Sequence, residues 1–311
     1  MTRKIVLIGN VNIDLVMGPV ADWPTIGTET VLPHSDWRVG GASGNTALAL
    51  EAINCPYQLI ANRSDDDFGK WLAKAFGTHS ANWSLTNGSA GLSVGITHPD
   101  GERTFFSSLG HLNSFSYEDV IAQLHPSGTG DIALLSGAFV TPKLLPKYTN
   151  LIQELKNRGF EIALDTGWPT DGWTPETQKA VLSWCAKCDH VLINESEVIG
   201  LSGSATSSVE IAMQKLGNQM PAYSTLAVKC GPNGAVAVSN GRLLKSTSPL
   251  VNVIDTIGAG DIFNAGYLNA LLHNESPQDA LNAAVTMASL AISTHPRVYQ
   301  RTSPLMRAAS Y

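Results

Sequence analysis

Short, nearly unbroken apolar runs recur along the chain: Ile5-Val6-Leu7-Ile8, Ile132-Ala133-Leu134-Leu135, Ile162-Ala163-Leu164, Val191-Leu192-Ile193 and Leu226-Ala227-Val228. Such runs predict strands covered on both faces, because a solvated face would demand a polar residue at every second position. Between several of them lie stretches with helical spacing, such as 144–158 and 175–186. Strand and helix patterns in alternation predict a mostly parallel sheet flanked by helices.

Two regions break that rhythm. Residues 11–39 and 88–113 carry Pro, Gly, Thr and aromatics at turn-like spacing, with no helical period. Within the second, 92–97 and 102–107 read as strands of a hairpin around His98-Pro99-Asp100-Gly101, with Asp-Gly in its turn. Both regions are expected to form a small β layer projecting from the main sheet, either a lid over a site or an edge extension.

Composition narrows the class. The 311 residues are 43% hydrophobic and 15% charged, enough apolar material for a sizeable core. Twenty Lys plus Arg against 26 Asp plus Glu give a net charge of −6, which speaks against a nucleic-acid partner needing a basic face. Four scattered cysteines do not make a disulfide framework. The first apolar run is too short for a signal peptide, and no stretch approaches the ~20 apolar residues of a membrane helix. A soluble, cytoplasmic protein without membrane partners is expected.

The chemistry concentrates in Asp255-Thr-Ile-Gly-Ala-Gly-Asp261. An apolar strand there gives way to small residues and then to a helix pattern. Gly258, Ala259 and Gly260 leave backbone N–H groups free to face an anion at a helix N-terminus, where the dipole also favours negative charge. Asp261 falls in the first turn, where a carboxylate can take a proton from a hydroxyl. The alternative is an ordinary strand-to-helix turn with Asp261 as its cap.

Further motifs accompany it in order: Gly9…Asn12…Asp14, Gly40-Gly41-Ala-Ser-Gly-Asn45, Asp66-Asp67-Phe68-Gly69, Asp100-Gly101-Glu102-Arg103-Thr104, Asn194-x-x-Glu197 and Lys229-x-Gly231-x-x-Gly234. Together with Asp-Thr-Ile-Gly-Ala-Gly-Asp, this set resembles the ribokinase-like (PfkB) carbohydrate kinases. The resemblance spans nearly the whole chain. It implies one kinase domain over 1–311, a three-layer α/β/α sandwich with a mostly parallel central sheet, and a β-sheet lid from about 11–39 and 88–113.

The same resemblance implies transfer of the γ-phosphoryl of ATP to a hydroxyl of a small sugar-like acceptor. Asp261 would be the general base, and Gly258, Ala259 and Gly260 the anion hole. Asn12, Asp14, Gly40, Gly41, Asn45 and Arg103 would face the acceptor; Asn194, Lys229, Gly231 and Gly234 the nucleotide; and Glu197 would hold Mg²⁺ through water. Asn194 and Glu197 also read as a helix capping box, and the two roles are compatible. A homodimer formed through the lids is implied. Nucleoside or phosphosugar kinases, and a non-enzymatic sugar- or nucleotide-binding regulator, are the alternatives.

Some members bind K⁺ at the positions of Asp255 and Ile257 with help from a C-terminal loop. This chain departs there: the loop reads Ser293-Thr-His-Pro-Arg-Val-Tyr299 where the family shows a basic residue and then Gly-Ala. Family glycines are also replaced by Asn54 and Ser64, and Asp165-Thr166-Gly167-Trp168 stands for the usual Asp-Pro-Asn. Cys185 and Cys188, with His190, have a zinc-like spacing but no second pair nearby, and inward packing on a helix is the stronger reading. Trp168, Trp173 and Trp184 read as packing residues.

Overall fold

A computed structural model describes residues 3–99, 103–125, 130–203 and 208–299. In the N-terminal half the strands are β1 (Ile5–Ile8), β2 (Asn12–Gly18), β3 (His34–Gly40), β4 (Tyr57–Ile60), β5 (Asn62–Ser64), β6 (Ser84–Thr86), β7 (Leu92–Thr97) and β8 (Arg103–Ser108). Then come β9 (Ile132–Leu135), β10 (Glu161–Leu164), β11 (His190–Asn194), β12 (Thr225–Lys229), β13 (Ala235–Ser239) and β14 (Arg242–Ser246). The first helices are α1 (Ala42–Ala52), α2 (Asp67–Phe76), α3 (Tyr117–Gln123), α4 (Tyr148–Asn157) and α5 (Pro175–Cys185). They are followed by α6 (Glu195–Ser202), α7 (Val209–Gly217), α8 (Ala259–Leu272) and α9 (Pro277–Ile292).

The main sheet runs β14-β13-β12-β11-β10-β9-β1-β4. Strands β4, β1, β9, β10, β11 and β12 are parallel, and β13 and β14 add an antiparallel edge. Each apolar run predicted as a strand lies within one of these strands. The sheet is buried from both sides. Ile5 and Leu7 join a cluster with α1, α8 and α9, while Val6 and Ile8 join one with α3 to α7. That is the period-two alternation of a strand between two helical layers, and it makes three layers.

The segments outside the helical rhythm form a second sheet, ordered β3-β2-β7-β8. β7 and β8 are antiparallel, as predicted, but β7 also pairs with β2 in parallel. The Asp100-Gly101 turn lies outside the described residues. The stretch 144–158 divides into a 3₁₀ turn at Leu145–Lys147, with Pro146 at its start, and then α4. At the far edge, Asn240 and Gly241 both take positive φ (49° and 72°) between β13 and β14, the two-residue hairpin that Asn-Gly favours.

Asn54 has φ 53° directly after α1. Asparagine is among the few residues that tolerate this left-handed geometry, so it serves where the family glycine is absent. Cys185 and Cys188 are buried, Cys188 Sγ lies 3.2 Å from the Trp184 carbonyl, and burial pushes the Cys185 thiol up to about 12. His190 turns away from them to Glu161 (2.7 Å) and the Tyr267 hydroxyl (3.2 Å). This is the packing reading. Trp184 is buried, Trp168 is exposed, and Trp173 packs edge-on against Trp168.

Candidate active site

Chain reversal sets the position of the site. From β1 the chain moves to β4 on one side and later returns to β9 on the other, and such a switch opens a crevice at the carboxyl ends of the strands. Ser43 at the start of α1 and Ser136 after β9 bridge its base through their hydroxyls, 2.8 Å apart. Asp165, Asn194 and Lys229 lie at or just beyond the carboxyl ends of β10, β11 and β12, neighbours in the sheet.

The wall nearest the small sheet is built from β2 and the start of α1. Asn12 Nδ2 donates to Asp14 Oδ1 at 2.9 Å, and Asn10 Nδ2 donates to Asn12 Oδ1 at 3.0 Å. A side chain on Gly40 would overlap the Asp14 carboxylate. Gly41, with φ 86°, would place one against the Asn10 carbonyl. Close approach of backbone to side chain therefore requires both glycines. Burial raises the Asp14 carboxyl to about 6, against the opposing pull of Arg38 and the Asn12 hydrogen bond.

Opposite lies the N-terminus of α8. Gly258 caps it in the left-handed region (φ 77°) without a side-chain hydrogen bond. Ala259 N–H donates to Thr256 O at 3.1 Å, and Asp261 N–H to Gly258 O at 3.0 Å. The N–H groups of Gly258 and Gly260 have no acceptor among the described residues. Of the three residues expected to form an anion hole, Gly258 and Gly260 leave amides unpaired among the described residues, and the Ala259 amide is spent in the turn. Free amides at a positive helix end suit phosphate oxygens.

Asp261 is partly buried in the first turn of α8. Its Oδ2 accepts from Asn45 Nδ2 at 2.9 Å, and its carbonyl from the Thr46 hydroxyl at 3.2 Å. Burial raises the Asp261 carboxyl to about 8, and the charges of Asp165 and Asp14 add to that, while Asn45 and Lys229 counteract it. A carboxyl so raised can take a proton from a hydroxyl once it is itself deprotonated.

Lys229 Nζ pairs with Asp165 Oδ2 at 2.8 Å, and that oxygen also accepts from Asn264 Nδ2 at 2.6 Å. Asn194 and Glu197 form a reciprocal capping box on α6: Glu197 N–H donates to Asn194 Oδ1, and Asn194 N–H to Glu197 Oε2, both at 2.8 Å. Burial and the Asp165 charge raise Glu197 to about 7, with Lys229 opposing. Among the described residues no three His, Cys, Asp or Glu side chains converge to hold a metal directly. The oxygen donors of Asp165, Asn194 and Glu197 nonetheless fit a hard cation held through water, as Mg²⁺ prefers. Gly231 and Gly234 frame a 3₁₀ turn beyond Lys229, and a side chain at Gly234 would overlap the Ser246 carbonyl.

Two of the expected positions stand apart from this cluster. Arg103 opens β8 opposite Thr97, whereas the β8 residue in line with Ser93 and Asp14 is Ser107. Four residues of strand put Arg103 on the order of 13 Å further out. Asp255 and Ile257 do not fit a monovalent cation either. Arg297 Nη2 donates to Asp255 Oδ2 (2.7 Å) and the Ile257 carbonyl (2.6 Å), and Arg38 Nη1 to the same Oδ2 (2.5 Å). Burial alone would raise the Asp255 carboxyl, but Arg38, the Ile257 N–H and Arg297 hold it below the usual range.

Three residues of this region stand outside the predicted set: Asp165, Arg38 and Arg297. The signal for Asp165 is an acid directly after an apolar strand, at its carboxyl end. Arg38 shares a cross-strand register with Asp14. Arg297 is the one arginine or lysine of the atypical loop 293–299.

Residues 2–298 match the family described as pfkB family carbohydrate kinase. The chain is similar to 2-dehydro-3-deoxygluconokinase of Haemophilus influenzae, 26% identical over 93% of each chain. Among solved structures it is similar to Arabidopsis thaliana ribokinase complexed with ribose and ATP (TM-score 0.78, 22% identity) and to adenosine kinase from Sinorhizobium meliloti (TM-score 0.79, 17% identity). Each of these two similarities covers 100% of both chains.

Proposed function

The chain belongs to the pfkB family of carbohydrate kinases, and from that premise we propose that it transfers the γ-phosphoryl of ATP to a hydroxyl of a small sugar-like acceptor, with Asp261 as general base. The observation that carries this reading is the convergence at α8: a carboxylate held by Asn45 in the same first turn that leaves two backbone amides unpaired.

Asp14 and Asn12 bind acceptor hydroxyls, the carboxylate accepting and the carboxamide doing both. Asn45 holds Asp261 Oδ2, leaving the other carboxylate oxygen to take the hydroxyl proton. The Gly258 and Gly260 amides and the α8 dipole stabilise the equatorial oxygens, where a loose phosphoryl-transfer transition state spreads its charge. Asn194, Lys229, Gly231 and Gly234 bind nucleotide. Glu197 and Asp165 would hold Mg²⁺ through water, and the ion would there neutralise phosphate charge. The small sheet of β2, β3, β7 and β8 acts as a lid that keeps water from the transferring group. Its exposed Trp37, Phe105 and Phe106 suit contact with a second copy, and sedimentation of the purified chain as a monomer at micromolar concentration would argue against that contact.

The test is ADP release from ATP and Mg²⁺ with ribose, fructose, 2-dehydro-3-deoxygluconate, adenosine and fructose 6-phosphate as acceptors. Turnover on a free sugar or sugar acid, lost in Asp261→Asn with ATP binding retained, supports the reading. Turnover confined to adenosine or the phosphosugar moves the acceptor class, and wild-type turnover in Asp261→Asn refutes the base.

A further inference from the structure

The turn that delivers Gly258 to the crevice is short of internal support. Its only internal side-chain bond is Asp255 Oδ1 accepting from Ile257 N–H at 2.9 Å, among the described residues. From outside, the Ile254 and Asp255 N–H groups donate to the Ile292 carbonyl at the end of α9 (2.8 and 3.1 Å). What remains is a cage of oxygens: the Asp255 carboxylate, the Asp255 carbonyl and the Ile257 carbonyl. A carboxylate and two carbonyls facing one point require positive charge there.

That charge is covalently attached to the chain. A single nitrogen, Arg297 Nη2, lies 2.7 Å from Asp255 Oδ2, 2.6 Å from Ile257 O and 3.4 Å from Asp255 O. Arg38, reaching over from β3, adds a second guanidinium on Oδ2. Arg297 and Asp255 are 17% and 30% exposed and Arg38 is 23% exposed, so the pairs are partly desolvated and worth more than surface ion pairs. A guanidinium is charged at every accessible pH and donates along fixed directions, which suits a permanent strut.

We propose that Arg297, seconded by Arg38, is a tethered cation that sets the 255–257 turn and so positions the Gly258 and Gly260 amides, making this kinase independent of monovalent cations. Arg297 is a positioning residue. It touches the turn, and the turn carries the amides. The inference rests on the reading of those amides as the anion hole.

The experiment compares ADP release in KCl, NaCl and N-methyl-D-glucamine chloride at equal ionic strength, for wild type, Arg297→Ala and Arg297→Lys, with Tm measured in each salt. Wild-type kcat should agree within about twofold across salts, with unchanged Tm. Arg297→Ala should lose at least about tenfold in kcat in N-methyl-D-glucamine, with KM for the acceptor little changed, and both kcat and Tm should rise in K⁺. Arg297→Lys should retain more activity than Ala without K⁺. A wild type activated tenfold by K⁺ overturns the proposal. So does an Arg297→Ala that matches wild type in every salt, or one that folds yet gains nothing from K⁺. If no acceptor is turned over, the kinase reading fails, while the Tm series still decides whether an ion enters this cage.

Discussion

Asn45 Nδ2 and Asp261 Oδ2 meet at 2.9 Å across 216 positions of sequence, joining the first turn of α1 to the first turn of α8. α1 begins after Gly41, beside Asp14, and α8 begins at Gly258, beside the free amides. The bond therefore ties the α1 end of the crevice to the α8 carboxylate. It also occupies one carboxylate oxygen, Oδ2, and leaves Oδ1 without a hydrogen-bond donor among the described residues.

The rate should follow the protonation of Asp261. Its carboxyl is raised to about 8 by burial and neighbouring acids, and a general base works only when deprotonated. Log kcat/KM should climb with pH at a slope near one and level off above about 8. Asp261→Asn should lower kcat by at least ~10³-fold and leave no such limb. A flat wild-type profile from pH 6 to 9 would contradict this.

Stability should move the opposite way. Folding raises the Asp261 pKa from 3.8 to about 8, so the folded chain binds this proton more tightly than the unfolded chain. Its unfavourable contribution is absent below 3.8, grows as pH rises between those values, and is complete above about 8. Asp261→Asn removes the titration while still accepting from Asn45. Its Tm should exceed that of wild type by at least ~3 °C at pH 8.5, with the gap shrinking towards pH 5. Equal Tm values at both pH values would show that the carboxylate is not strained by burial.

Gly260 separates folding from catalysis. It sits inside α8 with ordinary helical geometry, and an added Cβ would find only Lys229 Nζ and Cδ, at 3.4 and 3.6 Å. Alanine is the better helix former by about 1 kcal/mol, so Gly260→Ala should fold with equal or higher Tm. The methyl would nonetheless stand beside a free amide and the lysine. A drop in kcat of roughly tenfold or more, with Tm retained, is the expected result in a turnover assay. Unchanged kcat would take the Gly260 amide out of the anion hole.

What the sequence discloses and what it hides follow from range. β1 and β9 are legible because a strand buried on both faces needs an unbroken apolar run, a property of four consecutive residues. The Gly258–Asp261 turn is legible because backbone exposure and a first-turn carboxylate are local too. Arg38 meeting Asp255 is a different matter: 217 positions separate them, and no period or spacing links the two. The place of Arg103 is hidden for a related reason. Its place in a motif is local, but its distance from Asp14 depends on the pairing of β8 with β7 and of β7 with β2. The loop 293–299 departs from the family pattern in the sequence, but that Arg297 within it reaches Asp255 and Ile257 is visible only in the structure.

Glu197 carries two roles that a pair of variants can divide. As the N3 residue of α6 it accepts from Asn194 N–H at 2.8 Å, and as a buried acid raised to about 7 beside Asp165 it is placed to hold a cation. Glutamine keeps the accepting oxygen and removes the charge; alanine removes both. Glu197→Gln should therefore match or exceed wild type in Tm at pH 8, since the charged form is the one burial penalises. Glu197→Ala should lose on the order of 1 kcal/mol for the missing cap. Both should raise the Mg²⁺ concentration for half-maximal rate by at least about tenfold, measured at saturating ATP and acceptor. A Glu197→Gln variant with wild-type Mg²⁺ dependence would reduce this residue to its cap, and would leave Asp165, with its oxygen shared between Lys229 and Asn264, as the acid that faces the metal.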